Sequence, residues 1–119
     1  MQKSIKVTVD FNFKFKGPEG KEVAGIGPAN QVVASMIFNG ASPKENKRRN
    51  VGWADKLSED GKLELEPVEM DDILAVCDQQ GIRDGYYIAL ENLFNVKREE
   101  WRAAYEEYKN GPRPVKESA

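Results

Sequence analysis

Residues 5 to 16 alternate without exception, because every odd-numbered position is apolar and every even-numbered position is polar or charged. Side chains of a β-strand point alternately to opposite faces, so this pattern predicts one strand of twelve residues with a buried face and a wet face. A sheet with one wet face is typically antiparallel. Gly17 to Gly20 then predicts a turn, and Glu22 to Ile26 predicts a shorter returning strand.

The segment from Pro28 to Asn39 predicts an apolar helix. Gly27-Pro28 is typical of a helix that begins with proline at its first position, and Gly40 is typical of a helix end. Apolar residues fall at helical spacing on one face, at Ala29, Val32, Val33, Met36 and Ile37. Ala34 and Phe38 extend the apolar surface around the helix, so we expect it at the centre of the core, against the sheet.

The middle of the chain is less regular. Residues 41 to 50 combine Pro43 with a cluster of Lys and Arg and predict a polar loop. Asp60-Gly61 favours a tight hairpin turn, after which Leu63 and Leu65 alternate with glutamates as in a half-exposed strand. Residues 53 to 57 fit either the preceding strand of that hairpin or a single helical turn.

Three further helices are predicted toward the C-terminus. The first runs from Val68 to Gln80 and ends at Gly81, the second begins at Asp84 and ends near Phe94, and the third begins at Asn95 and ends near Asn110. The apolar stripes that we expect to face the core are Met70, Ile73, Leu74 and Cys77; Tyr86, Ala89, Leu90 and Leu93; and Trp101, Ala104, Tyr105 and Tyr108. Residues 112 to 119 predict a disordered tail.

These elements predict a fold of the α+β class. We expect an antiparallel sheet of three to four strands built on the long N-terminal strand, packed against one central helix and a C-terminal cluster of three helices. A chain of 119 residues suits one globular domain, which we place at residues 1 to 111.

The cysteine content and the N-terminus bear on the cellular compartment. The single cysteine, Cys77, cannot form an intramolecular disulfide, and no apolar signal region follows the N-terminus. The uncharged stretch from Val23 to Pro43 is interrupted by polar residues and is too short in apolar runs for a membrane helix. We therefore expect a cytoplasmic protein that does not insert into a membrane.

The sequence lacks the residues on which most catalytic and metal sites depend. It contains no histidine, the commonest general base and metal ligand, and Cys77 lies on the apolar stripe of its helix without a basic neighbour. Residues 25 to 30 match a dinucleotide-binding loop weakly, because Asn30 replaces the third glycine and no βαβ unit follows. We expect no enzymatic activity, no cofactor and no metal.

Charge is unevenly distributed along the chain, although the net charge is only −2. Residues 1 to 50 carry nine Lys/Arg against four Asp/Glu, whereas residues 51 to 119 carry nine against sixteen. Such asymmetry concerns partners rather than fold. The candidate binding residues are Lys6, Lys14, Lys16, Lys44, Lys47, Arg48, Arg49, Glu64, Glu66, Glu69 and Asp72.

The function that these observations favour is docking on another protein or on a second copy of the chain. The surplus edge of the long strand and the acidic segment from Glu59 to Asp78 would form the surface. An adaptor, an assembly factor or an inhibitor works in this way. The alternative is a nucleic-acid-associated protein that uses the basic segment from Lys44 to Arg49.

Overall fold

The computed structural model describes residues 5–21 and 27–110. Its elements are β1 (Val7–Asp10), α1 (Ala29–Asn39), α2 (Lys44–Glu59), β2 (Lys62–Leu65), α3 (Pro67–Gln79) and α4 (Asp84–Asn110), with one 3₁₀ turn at Pro18–Gly20. The α+β class and the antiparallel sheet are confirmed. The prediction of three to four strands is wrong for the described residues, in which the sheet has two strands.

The prediction of a long N-terminal strand is also wrong, because β1 contains only four residues. It pairs with β2 from Val7 opposite Leu65 to Asp10 opposite Lys62. Beyond this ladder the Asn12 N–H donates to Oδ1 of Asp10 over 2.8 Å and the chain bends. The alternation nevertheless persists, since the side chains at positions 9, 11 and 15 are buried. The predicted returning strand at residues 22 to 26 and the predicted tail at residues 112 to 119 lie outside the described residues.

The predicted polar loop at residues 41 to 50 is wrong from Lys44 onward, where α2 begins. The buried side chains of α2 are Asn50, Trp53, Ala54 and Leu57, which share one helical face. Residues 53 to 57 are therefore helical rather than extended. The buried Asn30 of α1 fastens the two helices, because its side-chain amide donates to the carbonyl oxygen of Leu57 over 2.9 Å.

The helices α1 and α3 follow the sequence closely. Pro28 is the N-cap of α1 rather than its first residue, and Gly40 ends the helix as predicted. Phe38 is the exception on α1, because 61% of it is exposed. All four residues of the predicted inward stripe of α3 are buried.

One continuous helix, α4, replaces the last two predicted helices. Asn95 does not begin a new helix, and its side-chain oxygen accepts a hydrogen bond from Arg98 over 2.9 Å within α4. The buried residues of α4 are Tyr86, Leu90 and Phe94. From Asn95 to Lys109 no residue is fully buried, so the second half of α4 lies outside the core.

The core lies between the inward face of the sheet and all four helices. The Phe11 ring of the sheet segment meets the Phe94 ring of α4 edge-on at 5.9 Å between centroids. The Phe15 and Tyr86 rings stack at 4.5 Å, close to the start of α4. Among the described residues, the helices are too short or too polar to cross a bilayer.

Candidate protein-docking surface

The predicted basic cluster lies on the first turns of α2, and one of its members, Arg49, belongs to the internal packing of the protein. Its guanidinium is 3.2 Å from the Asp72 carboxylate of α3 and donates to Oδ1 of Asn50 over 3.0 Å. It also lies 4.1 Å from the centroid of the Trp53 ring, a cation–π distance. Arg49 therefore joins α2 to α3 and is not available as a free cation.

The other basic residues of α2 offer a smaller surface than the sequence suggests. The Lys47 ammonium donates to the carbonyl oxygen of Ser42 over 2.7 Å, which ties it to the α1–α2 connection. Lys44 and Arg48 have exposed side chains, and neither forms an ion pair within residues 5–21 and 27–110. Two exposed cations remain from the predicted cluster.

Among the described residues, the predicted lysines of residues 5 to 16 do not contact the basic residues of α2. Lys6 lies 3.4 Å from the Glu69 carboxylate of α3. Lys14 forms an isolated bridge with Pro28 through the backbone. Lys16 lines a surface cleft of about 550 Å³ together with Arg83 and Tyr86.

The predicted acidic residues are engaged within the chain. Glu64 accepts a hydrogen bond from the Thr8 hydroxyl over 3.2 Å. Glu69 accepts from the Glu66 backbone N–H over 2.9 Å at the start of α3, in addition to its ion pair with Lys6. Asp72 is paired with Arg49. The two ion pairs, like the hydrogen bond from Thr8 to Glu64, join the basic first half of the chain to the acidic second half, so the charge asymmetry partly serves internal pairing.

The face of α4 that packs on the core continues beyond the core as a row of aromatic side chains. We call Trp101, Tyr105 and Tyr108 the aromatic stripe. They lie seven, eleven and fourteen residues after the buried Phe94, spacings close to whole turns of an α-helix. The stripe therefore extends the inward face of α4 beyond Phe94, the last buried residue between Asp84 and Lys109.

Within the stripe, Trp101 and Tyr105 are held by contacts with neighbouring groups, and exposure increases toward Tyr108. The Trp101 indole N–H donates to the carbonyl oxygen of Ile5 over 2.6 Å, and its ring stacks on Tyr105 at 5.1 Å with an interplanar angle of 8°. Tyr105 is 38% exposed and Tyr108 is 41% exposed. Lys109 places its ammonium 5.5 Å from the centroid of the Tyr105 ring.

The prediction that this stripe belongs to the core is wrong for both tyrosines. The sequence spacing identified the correct face of the helix, but spacing does not reveal where the core ends. The available signal was the run of charged residues around the stripe. Five Lys, Arg or Glu residues lie between Val96 and Tyr105, and two more lie between Tyr105 and Tyr108. The tyrosines are the functional candidates that sequence reasoning missed.

The buried thiol offers no alternative site. Burial raises the pKa of Cys77 from its usual 9.0 to about 12, so the thiol stays protonated at neutral pH. Within residues 5–21 and 27–110, no three His, Cys, Asp or Glu side chains come together as metal ligands would. The described geometry is suited to binding through aromatic contact.

Comparisons of the chain with protein-family models, with curated proteins and with solved structures found no match. The geometry of the described residues therefore carries the functional argument. Its strongest element is the aromatic stripe of α4.

Proposed function

We propose that this protein is a non-enzymatic protein-binding protein of the adaptor, assembly-factor or inhibitor type, and that the aromatic stripe of α4 docks on its partner. The observation that carries the proposal is the continuation of the core-facing side of α4 from Phe94 to Tyr108 without a covering element among the described residues. An apolar helix face that leaves the core is the kind of surface that a partner protein covers.

The chemistry of the stripe supports a protein partner. Tyrosine and tryptophan combine a large apolar ring with a polar group and dominate the energetics of many protein interfaces. The stacking of Trp101 on Tyr105 and the hydrogen bond to Ile5 hold the rings before binding. Ordered side chains lose less entropy on association. The matching surface is an apolar groove with hydrogen-bond acceptors for the two tyrosine hydroxyls.

A non-enzymatic role is supported by the residue inventory. The sequence contains no histidine, and its single cysteine is buried and protonated at neutral pH. Nucleophilic or acid–base catalysis would need another activated group. The candidate surfaces instead consist of aromatic rings and mutually paired charges.

The alternative, nucleic-acid binding through the basic segment of α2, has less support. Arg49 and Lys47 both form contacts within the chain, which leaves Lys44 and Arg48. Phosphate binding usually depends on a larger group of free cations. The acidic surface is likewise reduced by internal pairing, and we assign it a secondary role at the rim of the interface.

A matched pair of variants tests the proposal. Tyr105→Ser with Tyr108→Ser removes the exposed part of the stripe, whereas Arg102→Ser with Glu106→Ser changes the same turns of α4 outside it. Circular dichroism establishes that both variants fold. Affinity capture from the native cell, quantified by mass spectrometry, then compares the three proteins, and calorimetry with purified components measures each candidate partner.

We expect a partner that wild-type protein and the Arg102/Glu106 variant bind alike and that the tyrosine variant binds at least about tenfold more weakly. Equal binding by all three proteins would contradict the stripe as the docking surface. Loss of binding in the Arg102/Glu106 variant with retention in the tyrosine variant would place the interface on the charged side of α4.

A further inference from the structure

We propose that two copies of this chain associate through the outer edge of β1, antiparallel and with Thr8 on the twofold axis. The two strands of each copy would then form one continuous sheet of four strands. This self-association concerns a different surface from the aromatic stripe and does not depend on the partner proposed above.

The direction of the backbone groups of β1 follows from one hydrogen bond. The Phe11 N–H donates to the Gly61 carbonyl oxygen over 2.7 Å, in the same register as the ladder between β1 and β2. Because backbone groups of successive strand residues point to opposite sides, Val7 and Val9 also direct theirs to β2. Thr8 and its neighbours two residues away, Lys6 and Asp10, direct theirs to the outer edge.

This edge has no strand partner among residues 5–21 and 27–110, where the sheet consists of β1 and β2. The side chains of Lys6, Thr8 and Asp10 are exposed. An unpaired row of N–H and C=O groups is a template for another strand, and charged side chains are a common way to prevent such pairing. The Lys6 ammonium is instead held by Glu69 of α3 within the same copy.

The charges along the edge identify a second copy as the occupant. In an antiparallel pairing centred on Thr8, Lys6 of each copy lies opposite Asp10 of the other, on the exposed face of the sheet. Thr8 lies opposite Thr8, and Val7 lies opposite Val9 on the core face. Opposite charges, paired threonines and paired β-branched residues all stabilise antiparallel neighbours. Val7 is only half-buried in the single chain, and the second copy would bury more of its side chain in this arrangement.

A proline at the central position tests the edge. Thr8→Pro removes an N–H that points away from β2, so the internal ladder keeps its hydrogen bonds, and proline is tolerated on such edge positions. Sedimentation velocity across the micromolar to millimolar range measures the association of the purified protein. We expect a concentration-dependent dimer in the wild type and an increase in its dissociation constant of about tenfold or more in Thr8→Pro.

Charge variants test the register and remain informative if the proline variant does not fold. Lys6→Asp places two aspartates opposite each other in each pair, and Asp10→Lys places two lysines opposite each other, so each variant should dimerise more weakly than the wild type. In a mixed dimer both pairs join Asp to Lys. Mixing equal amounts of the two variants should therefore restore association. A parallel pairing would already place Lys6 opposite Lys6 and Asp10 opposite Asp10 in the wild type, so neither single variant should weaken the dimer in that arrangement.

Glu45→Lys is the control for nonspecific charge effects, because Glu45 is exposed on the first turn of α2 and lies on neither β1 nor β2. It should leave the dissociation constant within about threefold of the wild type. A monomer at every concentration would overturn the proposal. A dimer whose stability does not respond to Thr8→Pro or to mixing of the charge variants would overturn it as well, because the contact would then lie elsewhere.

Discussion

The indole N–H of Trp101 and the carbonyl oxygen of Ile5 are hydrogen-bonded over 2.6 Å, although the two residues are separated by 96 positions in the chain. The bond attaches the second half of α4 to the segment that leads into β1. It explains how α4, in which no residue from Asn95 to Lys109 is fully buried, keeps a defined position at its first turns beyond the core.

Trp101→Phe should lower the free energy of unfolding by about 1 kcal/mol, because phenylalanine keeps the stacking on Tyr105 but cannot donate to Ile5. Tyr108→Phe is the control, since Tyr108 is exposed, and it should change stability by less than about 0.5 kcal/mol. Urea denaturation of the three proteins gives both values. Equal effects would mean that the Ile5 carbonyl finds another donor when Trp101 is absent.

Gly61 and Gly81 permit a separate test, because both have positive φ, of +77° and +78°, but only Gly61 is closely packed. A Cβ at Gly61 would lie 2.6 Å from Cγ of Asn12, whereas a Cβ at Gly81 would meet no atom of the described residues within 4 Å, its chain neighbours apart. Gly81→Ala should cost about 1 kcal/mol from backbone strain, and Gly61→Ala should cost at least about 1 kcal/mol more. Thermal unfolding monitored by circular dichroism compares them. Adding Asn12→Ala to Gly61→Ala should recover part of the difference if the steric contact is its cause.

Cys77 should make stability dependent on pH above its usual pKa. Burial raises the pKa of the folded thiol to about 12 from 9.0, so between these values the unfolded state loses a proton that the folded state keeps. This contribution to stability is fully present below pH 9.0 and decreases as pH rises toward about 12. Comparing the alkaline unfolding of the wild type with that of Cys77→Ala measures this contribution, and identical pH profiles would contradict it.

Cys77→Ala should also lower the free energy of unfolding at neutral pH through lost packing, while leaving partner binding unchanged.

Arg49 and Arg48 are adjacent on α2 and should differ sharply in their contribution to stability. Arg49→Ala removes the contact with the Trp53 ring and the pairing with Asp72, and we expect a loss of about 1 to 2 kcal/mol. Arg48 is exposed, so Arg48→Ala should change stability by less than about 0.5 kcal/mol. Urea denaturation in low and high salt separates the two components of Arg49, since salt weakens the ion pair more than the ring contact.

The basic segment itself is tested by Lys47→Glu combined with Arg48→Glu. If α2 is not a nucleic-acid interface, this change should leave partner binding intact, and fluorescence anisotropy should detect little binding of DNA or RNA by either protein. Strongly salt-dependent nucleic-acid binding by the wild type, abolished in the variant, would favour the alternative function.

The local pattern of the sequence determined the helices whose signals lie within a few residues. Helix α1 lies between Pro28 and Gly40, and α3 buries the stripe from Met70 to Cys77, because capping preferences and the 3.6-residue period act over short distances. The alternation of residues 5 to 16 likewise determined which side chains face the core at positions 9, 11 and 15. These properties do not depend on which other segment of the chain packs against the residues.

Tertiary contacts decided the features that depend on distant partners. Alternation specifies a face but no hydrogen-bonded neighbour, so the length of β1 follows from the four residues of β2 that it meets. The helical state of residues 44 to 50 depends on Asn50 and Trp53 packing within the fold, which outweighs the loop-like composition of that segment. The two tyrosines of α4 share a helical face with Phe94, and only the extent of the core determines that Phe94 is buried while they are exposed. Helical periodicity repeats along the whole of α4, but the burial of each turn depends on what the rest of the chain places beside it.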